Sequence, residues 1–147
     1  MGEFKSIKKK FKVVGLKGNG SYENFNQEVP ALAKQLLSRS EELDNHMGIE
    51  IALFEPKRDS AHLVGDYIVG LMVDERLKEV PAGMELIEIE QRYATARGKT
   101  SSIGILHSKL MEWIEEQEYK RNLESYIVET YHPDEDEEEV RIYLPIY

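Results

Sequence analysis

Glu129 stands in the middle of the apolar segment Tyr126-Ile127-Val128-Glu129-Thr130-Tyr131. Strand interiors disfavour glutamate, and a carboxylate held among aromatic neighbours carries a desolvation cost that a partner must offset. Such a residue is a candidate handle for a cation or a proton, unless the face carrying Ile127, Glu129 and Tyr131 is simply wet. Aromatic residues that could stack around a flat cation are Tyr131, Tyr143, Phe54, Tyr67 and Tyr93. Each such ring adds about 0.5 to 2 kcal/mol of cation–π attraction, depending on desolvation. The alternative roles are plain core for Phe54 and cross-strand packing for Tyr67 and Tyr93. Tyr143 stands out because it alternates with polar neighbours, whereas Val140, Ile142, Leu144 and Ile146 form a uniformly aliphatic face. If that aliphatic face meets the helices, Tyr143 is expected on the opposite face, lining one cleft with Ile127, Glu129 and Tyr131.

Other chemistries find little support. Zero cysteines remove disulfides, thiolate metal sites and thiol nucleophiles. His46, His62, His107 and His132 lack metal-ligand spacing, and the acidic run Asp134 to Glu139 lacks the alternating ligands and central glycine of a calcium loop. With neither a Gly-x-Ser-x-Gly motif nor a glycine-rich phosphate loop, neither metal nor cofactor is expected. The formal charge of −9 argues against direct DNA binding, which depends on Lys and Arg displacing counterions. Lys5, Lys8, Lys9, Lys10 and Lys12 are a local exception, read here as a solvated lead-in to a strand. The chain has no apolar stretch near the roughly 20 residues needed to span a bilayer and no signal-peptide block at its start, so no membrane partner and a cytoplasmic location are expected.

The elements that must position these residues follow from periodicity. Phe11 to Leu16 reads as a strand ending at a Gly18-Asn19-Gly20 turn. Phe25, Val29, Leu32, Ala33, Leu36 and Leu37 recur at helical spacing, with Pro30 tolerable in a first turn, which predicts a helix from about Glu28 to Leu43. Strands are predicted over 48–55 and 64–73. The same order then returns: a strand over 86–96, a turn at Gly98 to Ser101 offering helix N-caps, a helix carrying Ile103, Leu106, Leu110, Trp113 and Ile114, and strands over 124–132 and 140–147.

Strand, helix, strand, strand thus occurs twice, with Gly18 and Gly98 at equivalent turns and Pro56 and Pro133 ending equivalent strands. At 147 residues one domain is expected. It is α+β, built of duplicated β-α-β-β units with pseudo-twofold symmetry: an antiparallel sheet, two main helices and a central ligand cleft. Repeat one covers about 8–75, a linker about 76–84, and repeat two about 85–147.

The ending Val128-Glu129-Thr130-Tyr131-His132-Pro133, a charged loop and Val140-Arg141-Ile142-Tyr143-Leu144-Pro145-Ile146 resembles the C-terminal signature of GyrI-like domains, the effector-binding domains of bacterial transcription activators. Phe11 to Leu16, Tyr67 to Val73, Val80-Pro81-Ala82-Gly83 and Tyr93 to Gly98 are similar to further family segments, and Trp113 falls where these proteins often carry tryptophan. The resemblance implies an aromatic-lined pocket in which a glutamate at the position of Glu129 meets cationic aromatic compounds while tyrosines stack around them. Trp113 joins the candidate ligand contacts on this ground, with core packing as its alternative. Relatives are often fused to DNA-binding helix-turn-helix segments; a strand pattern that begins by Phe11 leaves no room for one, so a stand-alone ligand-binding version is expected.

Three functions are open at this point. The first is binding of hydrophobic or cationic aromatic small molecules, for sequestration or transcription-linked sensing. A second reading follows relatives that open strained cyclopropane rings: Glu129 would be the general base and Tyr131 or Tyr143 the hydrogen-bond donor. As a third, the chain would be an interaction module for a protein partner or a second copy of itself.

Overall fold

The strands form where the alternation predicts them, and they then close on one another. The computed structural model describes residues 4–43, 46–75 and 77–147. Six strands run over Lys5–Ser21 (β1), Glu50–Phe54 (β2), Val64–Met72 (β3), Glu85–Lys99 (β4), Ile127–His132 (β5) and Glu139–Ile146 (β6), with helices over Phe25–Ser38 (α1) and Ile103–Glu116 (α2). Their order is strand, helix, strand, strand, twice over. All pairings are antiparallel, and the ring runs β1-β3-β2-β5-β6-β4 and back to β1. The antiparallel sheet was legible in the alternation; its closure was not. Arg76, inside the anticipated linker, and the three N-terminal residues lie outside the described residues. Among the described residues no helix is long and apolar enough to cross a membrane.

Closure depends on the length of β1 and β4, each long enough to pair with two neighbours. Gly18, Asn19 and Gly20 do not turn; they continue β1 opposite Tyr67, Asp66 and Gly65 of β3. Their glycines serve close approach instead. A Cβ on Gly18 would lie 2.4 Å from Cε1 of Tyr67, and one on Gly20 would lie 2.4 Å from a carboxylate oxygen of Glu28. Gly98 likewise continues β4, opposite Val140. Nor do the hydroxyls that follow cap α2. Thr100 Oγ1 donates to the carbonyl of Glu138 and Ser101 Oγ to the carboxylate of Glu137, tying the start of the helix to the β5–β6 loop. Helix α1 begins at Phe25 and not near Glu28, so Pro30 lies inside it, one backbone hydrogen bond poorer.

Alternation divides the apolar residues into an interior and two outer layers. Phe11, Val13, Ile51, Leu53, Ile68, Tyr93, Val128 and Tyr143 fill the ring. Outside it, α1 sets Leu36, with Val29, Leu32 and Ala33, against Val14, Val69 and Leu71. Similarly, α2 sets Leu106, Leu110 and Ile114 against Ala94, Ala96, Ile142 and Leu144. The helices therefore cover opposite parts of the outer surface, α1 over β1 and β3 and α2 over β4. Strands β2 and β5 pair with each other between them.

Candidate functional site

The outer face of that central strand pair carries the candidate site. Glu50 pairs with Tyr131, Ala52 with Glu129 and Phe54 with Ile127. Ile51, Leu53 and Val128, the alternate residues, point into the ring. Glu129 is only 8% exposed, and both its carboxylate oxygens are engaged. Oε1 accepts from the hydroxyl of Tyr131, two residues along the same face, at 2.5 Å. Oε2 lies 2.6 Å from Nε2 of His107, one turn beyond Ile103 on α2. A carboxylate can only accept, so Nε2 carries the hydrogen. The desolvation cost inferred from the sequence is thus offset by two donors, and burial, followed by the charge and hydrogen bond of Glu129, pushes the Tyr131 phenol well above its ordinary range.

Beside this trio opens a groove of about 200 Å3 between α1 and the central strands. Val29, Pro30 and Ala33 form its apolar wall; Glu50, Ala52 and Tyr131 form its floor, with Glu138 at the side. Burial first, and then the charge of Glu138, raises the Glu50 carboxyl above its ordinary value. Two carboxylates and a tyrosine facing one small apolar groove form a surface suited to positive charge. A larger hollow, about 680 Å3, lies between the start of α2 and the acidic β5–β6 loop. It mixes Arg97, Lys99 and Lys109 with Asp134, Asp136, Glu137 and Glu139; Glu129 lines neither hollow, but its partner Tyr131 lines the groove beside α1. Size alone does not make it the better site, because its wall is charged in both senses, whereas the groove beside α1 is apolar and acidic.

Of the anticipated site residues, Phe54 and Tyr67 share the outer face with Glu129 and Tyr131. They pair directly across β2 and β3. Phe25 of α1 packs between them, 6.2 Å from Phe54 and 5.0 Å from Tyr67, and the Tyr67 hydroxyl donates to Glu28 at 3.0 Å. Tyr143 and Tyr93 lie elsewhere. The expectation that Tyr143 shares a face with Glu129 is corrected by the register: Tyr143 pairs with Val128 and Glu129 pairs with Ile142. Directly opposed residues project to the same side, so Tyr143 points into the ring. There it forms an edge-to-face trio with Phe11 at 5.0 Å and Tyr93 at 5.8 Å. Trp113 packs beside Phe4 and Tyr119. Six residues separate it from His107, which turns it about 120° around α2 at ~100° per residue.

His107 and Glu50 were passed over in the sequence although each carried a signal. Glu50 opens β2 on the same alternating positions as Ala52 and Phe54. His107 interrupts the apolar stripe of Ile103, Leu110 and Ile114. Among the described residues no group of three His, Cys, Asp or Glu side chains could hold a metal ion.

The model of the GyrI-like small-molecule-binding domain matches residues 6–147. No match was found among curated proteins. Solved structures of similar fold include a Staphylococcus aureus protein described as a bacterial transcription regulation protein, 10% identical, covering 98% of this chain and 97% of that one, with a TM-score of 0.68. The C-terminal domain of EcmrR is 15% identical, covering 100% of this chain and 97% of that one, with a TM-score of 0.62. A protein described as a hydrolase from Listeria innocua is 12% identical, covering 99% of this chain and 92% of that one, with a TM-score of 0.56. At such identities these likenesses speak for the fold.

Proposed function

The chain belongs to the GyrI-like family of small-molecule-binding domains, and on that premise we propose that its outer cleft binds apolar, cationic aromatic compounds, with Glu129 as the central counter-charge. The observation that carries this reading is the placement of Glu129 on the same face as Glu50 and Tyr131, which line the groove beside the apolar wall of α1, with the Tyr131 hydroxyl linking Glu129 to that groove. The binding unit is the whole chain as one domain, each half contributing one of the two central strands. Phe54, Tyr67 and Tyr131 supply flat contacts, and Glu50 and Glu138 hold positive charge at the mouth. Pockets that hold drug-sized ligands usually measure roughly 300 Å3 or more, which exceeds the groove. Binding therefore widens the cleft, and the movable parts are the side chains of Tyr131 and His107 that cover Glu129. Occupancy of this kind serves sequestration or transcription-linked sensing, the latter through a protein partner or a second copy of the chain.

The test is a fluorescence titration with cationic, neutral and anionic aromatic dyes on wild type and Glu129→Gln, with chromatography of each mixture. Expected are a preference for cations and a loss of more than about tenfold in Glu129→Gln, the scale of one buried charge-assisted contact. Unchanged affinity removes Glu129 from the site.

A second reading rests on the bond between His107 and Glu129. A carboxylate oriented by an imidazole, beside a phenol that can donate, suits a general base with an oxyanion donor. Product in the chromatographed mixtures, lost in Glu129→Gln, would establish hydrolysis over simple binding.

A further inference from the structure

We infer that the ring carries a second site, on the face away from the cleft, for a small multiply charged oxyanion of the phosphate class. It is formed by Lys5 and Lys9 of β1, Arg97 of β4 and Arg141 of β6. The basic run near the N-terminus had read as one solvated stretch, but strand alternation splits it in two. Lys8 and Lys12 face one way, 3.8 Å from Glu90 and 3.6 Å from Glu88 on the neighbouring strand. Lys5 and Lys9 face the other, on either side of Ile7, which packs against the ring interior. With Arg97, Arg141, Thr95 and Tyr143 they line a cavity of about 250 Å3.

The charges in this cavity are unbalanced. Among the described residues Lys5, Lys9 and Arg97 make no ion pair at contact distance, although Lys9 lies 5.5 Å over the Phe11 ring and Arg97 acts on Glu139 from farther away. Arg141 has one, through Nε to Glu139 at 2.7 Å. Four cations thus line a cavity with no carboxylate among the described residues of its own lining, in a chain whose formal charge is −9; Glu139 reaches Arg141 directly and feels the charge of Arg97, which also borders the acidic hollow. Nearby, burial first and the Arg141 charge next hold His132 on β5 below its ordinary value; Glu139 opposes them, and Lys9 adds the smallest contribution. Like charges brought together in a hollow repel, and a bound dianion would relieve that repulsion. The donors also suit it. Guanidinium groups bind phosphate oxygens in forks, ammonium groups add point charge, and the Thr95 hydroxyl stands on the wall, while the Tyr143 hydroxyl is already bonded to Arg141 and Thr130 and steadies that guanidinium.

The experiment is a 1H–15N titration of the full chain with inorganic phosphate, ionic strength held constant with chloride. Wild type should shift the Thr95 and Tyr143 amides in a saturable way. Lys9→Gln with Arg97→Gln should weaken binding at least about tenfold, as expected for losing two charge-assisted contacts. Removing the same charge from the other face, with Lys8→Gln and Lys10→Gln, should change it less than about twofold, since exposed charges are screened at this distance. Glu129→Gln should leave it unchanged, which separates this site from the cleft. Should the first pair of substitutions disturb the fold, Arg97→Gln alone carries the test at about threefold, the loss of one exposed contact. Non-saturable shifts, or equal weakening by charge removal from either face, would overturn the site.

Discussion

Nε2 of His107 and Oε2 of Glu129 meet at 2.6 Å, joining the inward side of α2 to the middle of β5. The contact fixes the helix against the cleft and satisfies a carboxylate that has little access to water. His107→Ala leaves Tyr131 as the one remaining donor to Glu129 among the described residues. We expect a loss of about 1 to 3 kcal/mol in chemical denaturation, the cost of an incompletely satisfied buried charge. Little change would mean that water replaces the imidazole without difficulty.

Glu50 gives the cleft a pH dependence whose sign is fixed by its environment. Its carboxyl is raised above the ordinary value of 4.5, by burial first and by Glu138 next. The folded protein therefore holds this proton more tightly than the unfolded chain, and folding stability declines as pH rises through the window just above 4.5. Glu50→Gln should remove that part of the decline, read from denaturation midpoints across the window. Cationic dye affinity should run the other way, rising with pH over the same range in wild type and flattening in Glu50→Gln.

Gly18 and Tyr67 constitute a steric pair. Gly18→Ala sets a methyl 2.4 Å from the Tyr67 ring, so the ring must move and its bond to Glu28 is disturbed. The expected cost is about 1 to 3 kcal/mol. A double-mutant cycle with Tyr67→Ala should recover part of it; strict additivity would show that the ring is not the obstacle.

Inside the ring, the hydroxyl of Tyr93 is buried and has no hydrogen-bond partner among the described residues. Burial alone pushes its phenol well above the ordinary range. Tyr93→Phe keeps the edge-to-face contacts with Phe11 and Tyr143 and discards the unsatisfied oxygen. Thermal unfolding should show a gain of about 1 kcal/mol, with cationic dye binding unchanged. A destabilised variant would point to an ordered water on that oxygen.

Strand and helix order were legible because the periodicities are strong: Val140 to Ile146 alternates cleanly, and Leu106, Leu110 and Ile114 recur at helical spacing. The glycines misled. Gly18 and Gly98 look like turn residues because sequence records the freedom of glycine without recording which side chain occupies the space where its Cβ would be. Tyr143 was misplaced for a related reason. Alternation fixes faces within one strand, whereas the face shared by two strands depends on their register, which pairs Glu129 with Ile142. His107 was missed because its role exists only once α2 is laid across β5, a contact between residues distant along the chain.

The pairing of β1 with β4, from Lys5 opposite Thr95 to Gly15 opposite Glu85, joins the first half of the chain to the second. Partners this far apart in sequence must meet by slow loop closure, so ring closure is expected late in folding. Until then both long strands offer unpaired backbone edges to other copies of the chain. Crowded refolding should therefore yield aggregates that vanish on dilution, and the lysines of β1, which repel neighbouring copies through that interval, act as kinetic guards as well as binding groups.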